Sequence, residues 1–149
     1  MMRWVSLFGC FGLSLLLGCG GPSGPTLHPV AGHVTMDGTP LSGARVLFIP
    51  QGDTQGHGGD GVTGANGEYE ITAARLNSKG LPAGTYKIVV TRQRMPDGSI
   101  PPPDVPPIES DAKETVPEPY SDFRNTPFTA TVKPGESTPF DFRVDTDKK

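Results

Sequence analysis

The stretch "VTMDGTPLSGARVLFIP", residues 34–50, changes its hydrophobic period midway, and that change points to extended structure. Its first half continues an alternation in which Val30, Gly32, Val34 and Met36 share one face of a strand while Ala31, His33 and Thr35 share the other. Asp37-Gly38 supplies a tight turn, because both residues accept positive φ. Gly43-Ala44 reduces bulk where the chain enters a second strand. Val46 to Ile49 is a continuous apolar run stopped by Pro50, as expected for a central strand or one covered on both faces. It is expected to pair with the first strand.

Working outward, Gln51 to Gly61 is a glycine-rich polar loop, and Val62-Thr63 resumes extended structure. Ala65-Asn66-Gly67 makes a reversal, Asn66 and Gly67 both being able to take positive φ, and Glu68 to Thr72 alternates, so a hairpin is expected over 62–72. Leu81-Pro82-Ala83-Gly84 turns into Thr85–Thr91, where Tyr86, Ile88 and Val90 share a face and the Tyr86 hydroxyl is expected near water. Phe128, Ala130 and Val132, the Lys133–Glu136 turn, and Phe140, Phe142 and Val144 read as a closing hairpin. Helical periodicity is nearly absent; Ala73 to Lys79, ended by Gly80, is the one weak candidate. About seven short strands separated by regular turns indicate an all-β, antiparallel, Ig-like β-sandwich. Met95 to Pro127 holds nine of the 17 prolines and reads as a long surface crossover, stiffened by proline and pinned by Ile108, Val116 and Tyr120. A polyproline recognition segment is the alternative.

Three pieces in fixed order carry a family likeness: Val34–Val46, then Thr63-Gly64-Ala65-Asn66-Gly67-Glu68-Tyr69, then Leu81-Pro82-Ala83-Gly84-Thr85-Tyr86-Lys87-Ile88. Together they resemble the carboxypeptidase regulatory-like, or transthyretin-like, domain over about residues 30–91, with Asn66 where aspartate is commoner. The tail from Val116 to Gly135 is similar to the ending of small bacterial lipoproteins that carry this domain. The resemblance implies a transthyretin-like sandwich over residues 28–149, a fold that serves many functions.

The N-terminus reads as an export signal: Arg3, an apolar run from Val5 to Leu17, then small Gly18 before Cys19. The run is shorter than the roughly 18 residues a membrane span needs. Leu16-Leu17-Gly18-Cys19 resembles the bacterial lipobox, which implies removal of residues 1–18 and lipid attachment at Cys19. Leu7-Phe8-Gly9-Cys10 is a rival with too short an apolar run, and ordinary secretory cleavage is the alternative. Gly20, where aspartate would signal inner-membrane retention in some bacteria, favours the outer membrane, facing the periplasm or the surface. Residues 19–27, rich in glycine, proline and hydroxyl groups, read as a flexible tether.

Cys10 and Cys19 are the only cysteines, so the body has no pair for an internal disulfide and must be held by packing. Without Arg3 the chain keeps 12 basic and 16 acidic residues, net charge −4, with no basic stripe; nucleic acid is not an expected partner. No catalytic residue is expected: no Gly-x-Ser-x-Gly elbow lies near a histidine. His28, His33 and His57 lack zinc-site spacing and read as surface residues. Asp53, His57 and Asp60 share a flexible loop that lacks the acid pattern of a calcium site, so no metal or other cofactor is expected. A related surface-protein family crosslinks lysine of the first strand to asparagine of the last; His33 and Phe140–Arg143 stand there instead, so that bond is not expected.

The sequence thus reads as a non-enzymatic, lipid-anchored envelope module that meets the membrane through Cys19 and an envelope protein or glycan through its body. The alternative is a carbohydrate- or peptide-binding accessory module, in which Tyr69, Tyr86 and Tyr120 would have to replace the tryptophan that leaves with the signal. Last comes a transthyretin-like hydrolase, whose histidine- and arginine-rich site and C-terminal Tyr-Arg-Gly-Ser type ending this chain lacks, ending instead in Val144–Lys149.

Overall fold

A computed structural model describes residues 24–102, 104–106, 109–136 and 139–147. The signal segment, Cys19 and Ile108 lie outside the described residues. Seven strands of three or more residues carry the fold: β1 (Ala31–Met36), β3 (Arg45–Pro50), β4 (Gly59–Val62), β5 (Glu68–Glu70), β8 (Gly84–Thr91), β11 (Thr129–Val132) and β12 (Phe142–Val144). Five two-residue strands supplement them: β2 (Thr39–Pro40), β6 (Thr72–Ala73), β7 (Ser78–Lys79), β9 (Gln93–Arg94) and β10 (Lys113–Glu114). One sheet has the order β11-β8-β3-β4-β6-β7; the other centres on β1, which pairs with β12, β2 and β5. Among the described residues no helix is long and apolar enough to cross a membrane.

The two sheets face each other through aromatic rings. Phe48 of β3 lies 6.0 Å from Tyr86 of its own sheet and 6.3 and 6.2 Å from Tyr69 and Phe142 of the other, at tilted or edge angles that ring quadrupoles favour. Val30, Val34, Val46, Ile71, Leu81, Ile88, Val90 and Val144, all fully buried, close the core around them. The alternation read for β1 holds: Gly32 and Val34 are buried, Ala31 and His33 exposed.

Asp37 (φ 50°) and Gly38 (φ 81°) both take left-handed conformations, so the β1–β2 turn has the primed geometry that suits the twist of a hairpin. Asp37 is held there by its own carboxylate, which accepts from the Thr146 backbone N–H (2.9 Å) and hydroxyl (2.7 Å) and thereby sits below the usual aspartate range.

The strand pairing departs from the sequence reading at several places. β3 pairs with β4 and β8 and not with β1, because the chain changes sheets at Leu41–Ala44. There Thr63 acts as a buried peg: its hydroxyl donates to the Leu41 carbonyl (2.5 Å) and accepts from Ala44 N–H (2.9 Å). No hairpin forms over 62–72; a turn closed by Gly64 N–H to Glu68 O (2.8 Å) sends the chain back to the first sheet, where β5 pairs with β1. Only Gly67 of that turn is left-handed (φ 78°), and Asn66 instead donates its N–H to the Glu68 carboxylate (2.9 Å).

The closing hairpin is likewise absent. β11 lies antiparallel beside β8, whereas β12 crosses to the other sheet and runs parallel to β1, in an architecture otherwise antiparallel. β11 ends opposite Gly84 at the end of the sandwich where β1 begins, so a chain that changes sheets there has to run alongside β1 in the same direction. The weak helix candidate is the β6–β7 hairpin, with Arg75 and Asn77 left-handed at its tip.

The proline-rich segment joins β8 to β11, neighbours in one sheet, so it is a long excursion rather than a crossover between sheets. Its first part, beyond the β9–β10 ribbon, carries exposed Ile100. From Val116 onward it packs into the core: Val116 and Tyr120 are buried, Tyr120 O accepts from Val90 N–H (3.0 Å), and the buried Thr126 hydroxyl donates to Ile88 O (2.6 Å).

Candidate functional site

The chain reaches the sandwich at one end, here termed the tether end, where β1, β4, β8 and β12 begin. His28 and Leu81 exchange backbone hydrogen bonds (2.8 and 2.9 Å), which tie the entering chain to the body at this end. Gly80 (φ 95°) makes this possible, because a Cβ there would collide with the His28 carbonyl.

Three further segments complete this end. Gln51–Gly58 is stiffened by Thr54, whose hydroxyl accepts from Thr85 N–H (2.9 Å), and by the Gln51 amide, which donates to Pro50 O (2.9 Å). The β6–β7 tip projects Arg75 and Leu76. The Leu81–Gly84 turn is braced by Tyr86, whose hydroxyl donates to Pro82 O (2.8 Å). That hydroxyl is buried, contrary to the expectation that it stays near water, because its partner is the main chain four residues upstream; burial pushes Tyr86 up to about 12.

Between these segments lies a cleft of about 290 Å³, lined by Pro25, Gln55, His57, Arg75, Leu76 and Pro82 among others. Its walls are mainly proline, alanine and leucine carbon, with Arg75 Nη1 and His57 Nε2 3.4 Å apart at its rim. Arg75 forms no ion pair among the described residues. Its φ of 66°, and the 48° of Asn77, are conformations that cost non-glycine residues about 1 kcal/mol or more each. The hairpin holds them in place and so presents Arg75 and Leu76 on a short fixed tip. Such a site can take up apolar groups and place an anionic group beside the guanidinium.

Of the residues singled out in the sequence, only His57 lines this cleft. His28 serves the backbone bridge to Leu81. His33 lies on the outer face of β1, its backbone N–H donating to the Asp141 carboxylate (2.8 Å) and its ring 3.5 Å away. Asp60 pairs with Arg45 (3.0 Å), leaving the loop's other acid, Asp53, in a shallow neighbouring depression. Among the described residues no group of three histidine, cysteine or acidic side chains is placed to hold a metal.

Tyr69, Tyr86 and Tyr120 are core residues and offer no exposed ring to a sugar. The Tyr69 hydroxyl donates to Phe140 O (2.6 Å), and burial, reinforced by the Asp141 charge, raises it well above the ordinary tyrosine value. Among the described residues the exposed aromatic is Phe123, covered on one side by the Lys87 ammonium 5.1 Å from its centroid. Sequence reasoning missed Arg75 and Leu76 because they sat inside a weak helical pattern; the Asn77 and Gly80 that flank the tip were the available turn signal.

No protein-family model matches the chain, and neither a curated protein nor a solved structure is significantly similar to it.

Proposed function

We propose that this protein is a lipid-anchored β-sandwich module of the cell envelope, attached through Cys19, whose body is a carboxypeptidase regulatory-like domain with a non-catalytic binding or structural role. The observation that carries the reading is an order along the chain: an apolar run, Leu16-Leu17-Gly18-Cys19, a polar glycine-proline stretch, then a body bridged by backbone hydrogen bonds between His28 and Leu81. The non-catalytic part is supported by the use made of the buried hydroxyls. Those of Thr63, Thr126, Tyr69 and Tyr86 all donate to main-chain carbonyls and hold the sandwich together.

The second reading, an accessory module for a separate envelope enzyme, is favoured by the cleft at the tether end and, given the buried tyrosines, in its peptide-binding rather than its sugar-binding form. The hydrolase reading stays last. Localisation at the outer membrane, facing the periplasm or the surface, follows from the same lipobox reading, with an envelope protein or glycan as partner.

Intact mass spectrometry of the protein extracted from bacterial membranes tests the proposal. The expected species begins at Cys19, carries acyl chains and partitions into detergent, and Cys19→Ser abolishes all three. An unmodified chain, or one that retains Met1, overturns the anchor and the localisation with it.

A further inference from the structure

Leu76 is 49% exposed at the tip of a hairpin whose backbone is held in left-handed conformations, beside a cleft walled by prolines. The length of the leash says what covers it. Pro25 already lines the cleft and Leu27 packs against the core, so the chain is laid onto the body before the bridge at His28. Six residue steps separate Cys19 from Pro25, which at roughly 3.5 Å each span about 20 Å when fully extended. A lipid at Cys19 therefore keeps Pro25, and with it the tether end, within about 20 Å of the headgroups. β8 runs from this end for eight residues, about 26 Å, so Ile100, in the excursion beyond its far end, lies farther from the anchor than Leu76 does.

We infer that the tether end is a bilayer-docking surface, with Leu76 and the proline wall entering the headgroup layer and Arg75 engaging lipid phosphate. The inference rests on the lipid anchor proposed above and adds an orientation to it. The charges agree with a modest electrostatic share: the Lys79 ammonium is engaged by Glu70 at 2.6 Å and that of Lys133 by Glu136 at 3.5 Å, and Asp53 and Asp141 also lie at this end, which leaves Arg75 as the cation there without an ion pair among the described residues. One leucine and one arginine bind a free membrane weakly. A short leash raises the effective concentration to the millimolar range or above, which lets a weak contact persist.

Trp4 is the chain's one tryptophan and leaves with the signal, so a tryptophan introduced into the body is a reporter without background. The full chain carrying Leu76→Trp, or Ile100→Trp as the far-end control, is expressed in bacteria, extracted and added to phosphatidylcholine–phosphatidylglycerol vesicles with brominated acyl chains. Flotation and tryptophan quenching are then read together. The expected result is flotation of both, with emission at position 76 blue-shifted and quenched at least about twofold more than at position 100, as for a group buried several ångströms into the interface. Adding Arg75→Glu should reduce that quenching while flotation persists, and phosphatidylcholine alone should reduce it in the parent. Flotation with equal quenching at both positions overturns the docking and leaves the anchor standing. Failure to float overturns the anchor and the docking together. A blue shift that depends on protein concentration without vesicles makes a second copy the occupant and overturns the inference.

Discussion

Replacing Gly32 by alanine should destabilise the sandwich far more than one methyl group suggests. Gly32 lies opposite Tyr69 in the β1–β5 register, and Tyr69 reaches across it to the Phe140 carbonyl on the other side of β1. A Cβ at Gly32 would collide with that carbonyl oxygen and lie 2.5 Å from its carbon, both backbone atoms that no rotamer change can move. The segment before β12 would have to retreat, weakening the Tyr69 hydroxyl bond (2.6 Å) and the bond from Phe140 N–H to Ala31 O (2.9 Å). Overpacking at about 1–3 kcal/mol and two hydrogen bonds at about 1 kcal/mol each put the loss near 3–5 kcal/mol. For a body of this size that lowers Tm by about 12–20 °C. Urea unfolding of residues 28–149, followed by circular dichroism, measures it. Tyr69→Phe should cost about 1–2 kcal/mol, and the double variant about 1 kcal/mol less than the two single losses combined, since both break the same bond. A Gly32→Ala loss under about 0.5 kcal/mol, or strict additivity with Tyr69→Phe, refutes the interlock.

Residues 28–149 should fold without metal or disulfide, seen as β-type circular dichroism with cooperative melting in chelator; a random coil rescued by calcium or zinc refutes this. Limited proteolysis should cut first between Asp97 and Pro106, and a glycine-serine replacement of residues 97–111 should keep the fold, whereas extending it through Thr126 should abolish it by removing Val116 and Tyr120 from the core. Alkaline pH should unfold the body through its tyrosines. Folding raises the values of Tyr69 and Tyr86 above that of an unfolded tyrosine, about 10. The Tyr86 contribution is complete below pH ~10 and is lost as pH rises through about 12, that of Tyr69 only at still higher pH, and Tyr86→Phe should flatten the slope in urea titrations run at successive pH values. At acid pH the sign reverses for Asp37, whose folded value is depressed. Its contribution is present above pH ~4 and is lost as pH falls further, so Asp37→Asn should weaken the acid dependence of unfolding.

Which residues face inward was legible in the sequence, and which strands pair was not. Period-two alternation states a side chain's face, and Val34, Tyr86, Ile88, Val132 and Val144 obey it. Pairing depends on where the chain changes sheets, and at 41–44, 62–68 and 133–141 short turns imitate hairpins while handing the chain across the core. The peg at one such corner, Thr63, looks like any strand threonine until Leu41 and Ala44 close on it. The composition of residues 19–27 could be read because polarity and glycine content are local properties. The cleft could not, since Pro25, His57, Arg75 and Pro82 meet only after four separate segments converge. The Tyr86 hydroxyl was misplaced for a related reason: a phenol is free to sit near water until a carbonyl such as Pro82 O supplies a buried partner.

The parallel β1–β12 pair has a mechanical consequence. β1 continues from the tether at one end of the sandwich, and β12 leaves at the other, beside Asp37 and Thr146. Given the anchor proposed at Cys19, tension between it and anything gripping the C-terminal segment would pull these neighbours along their lengths in opposite directions. The rungs of the ladder would then share the load and have to rupture together, whereas strands peeled from one end fail one rung at a time. The fold is thus placed to resist stretching along the axis on which a membrane-tethered protein is drawn from its bilayer, with the Thr146 clasp on Asp37 taking the strain at the distal end.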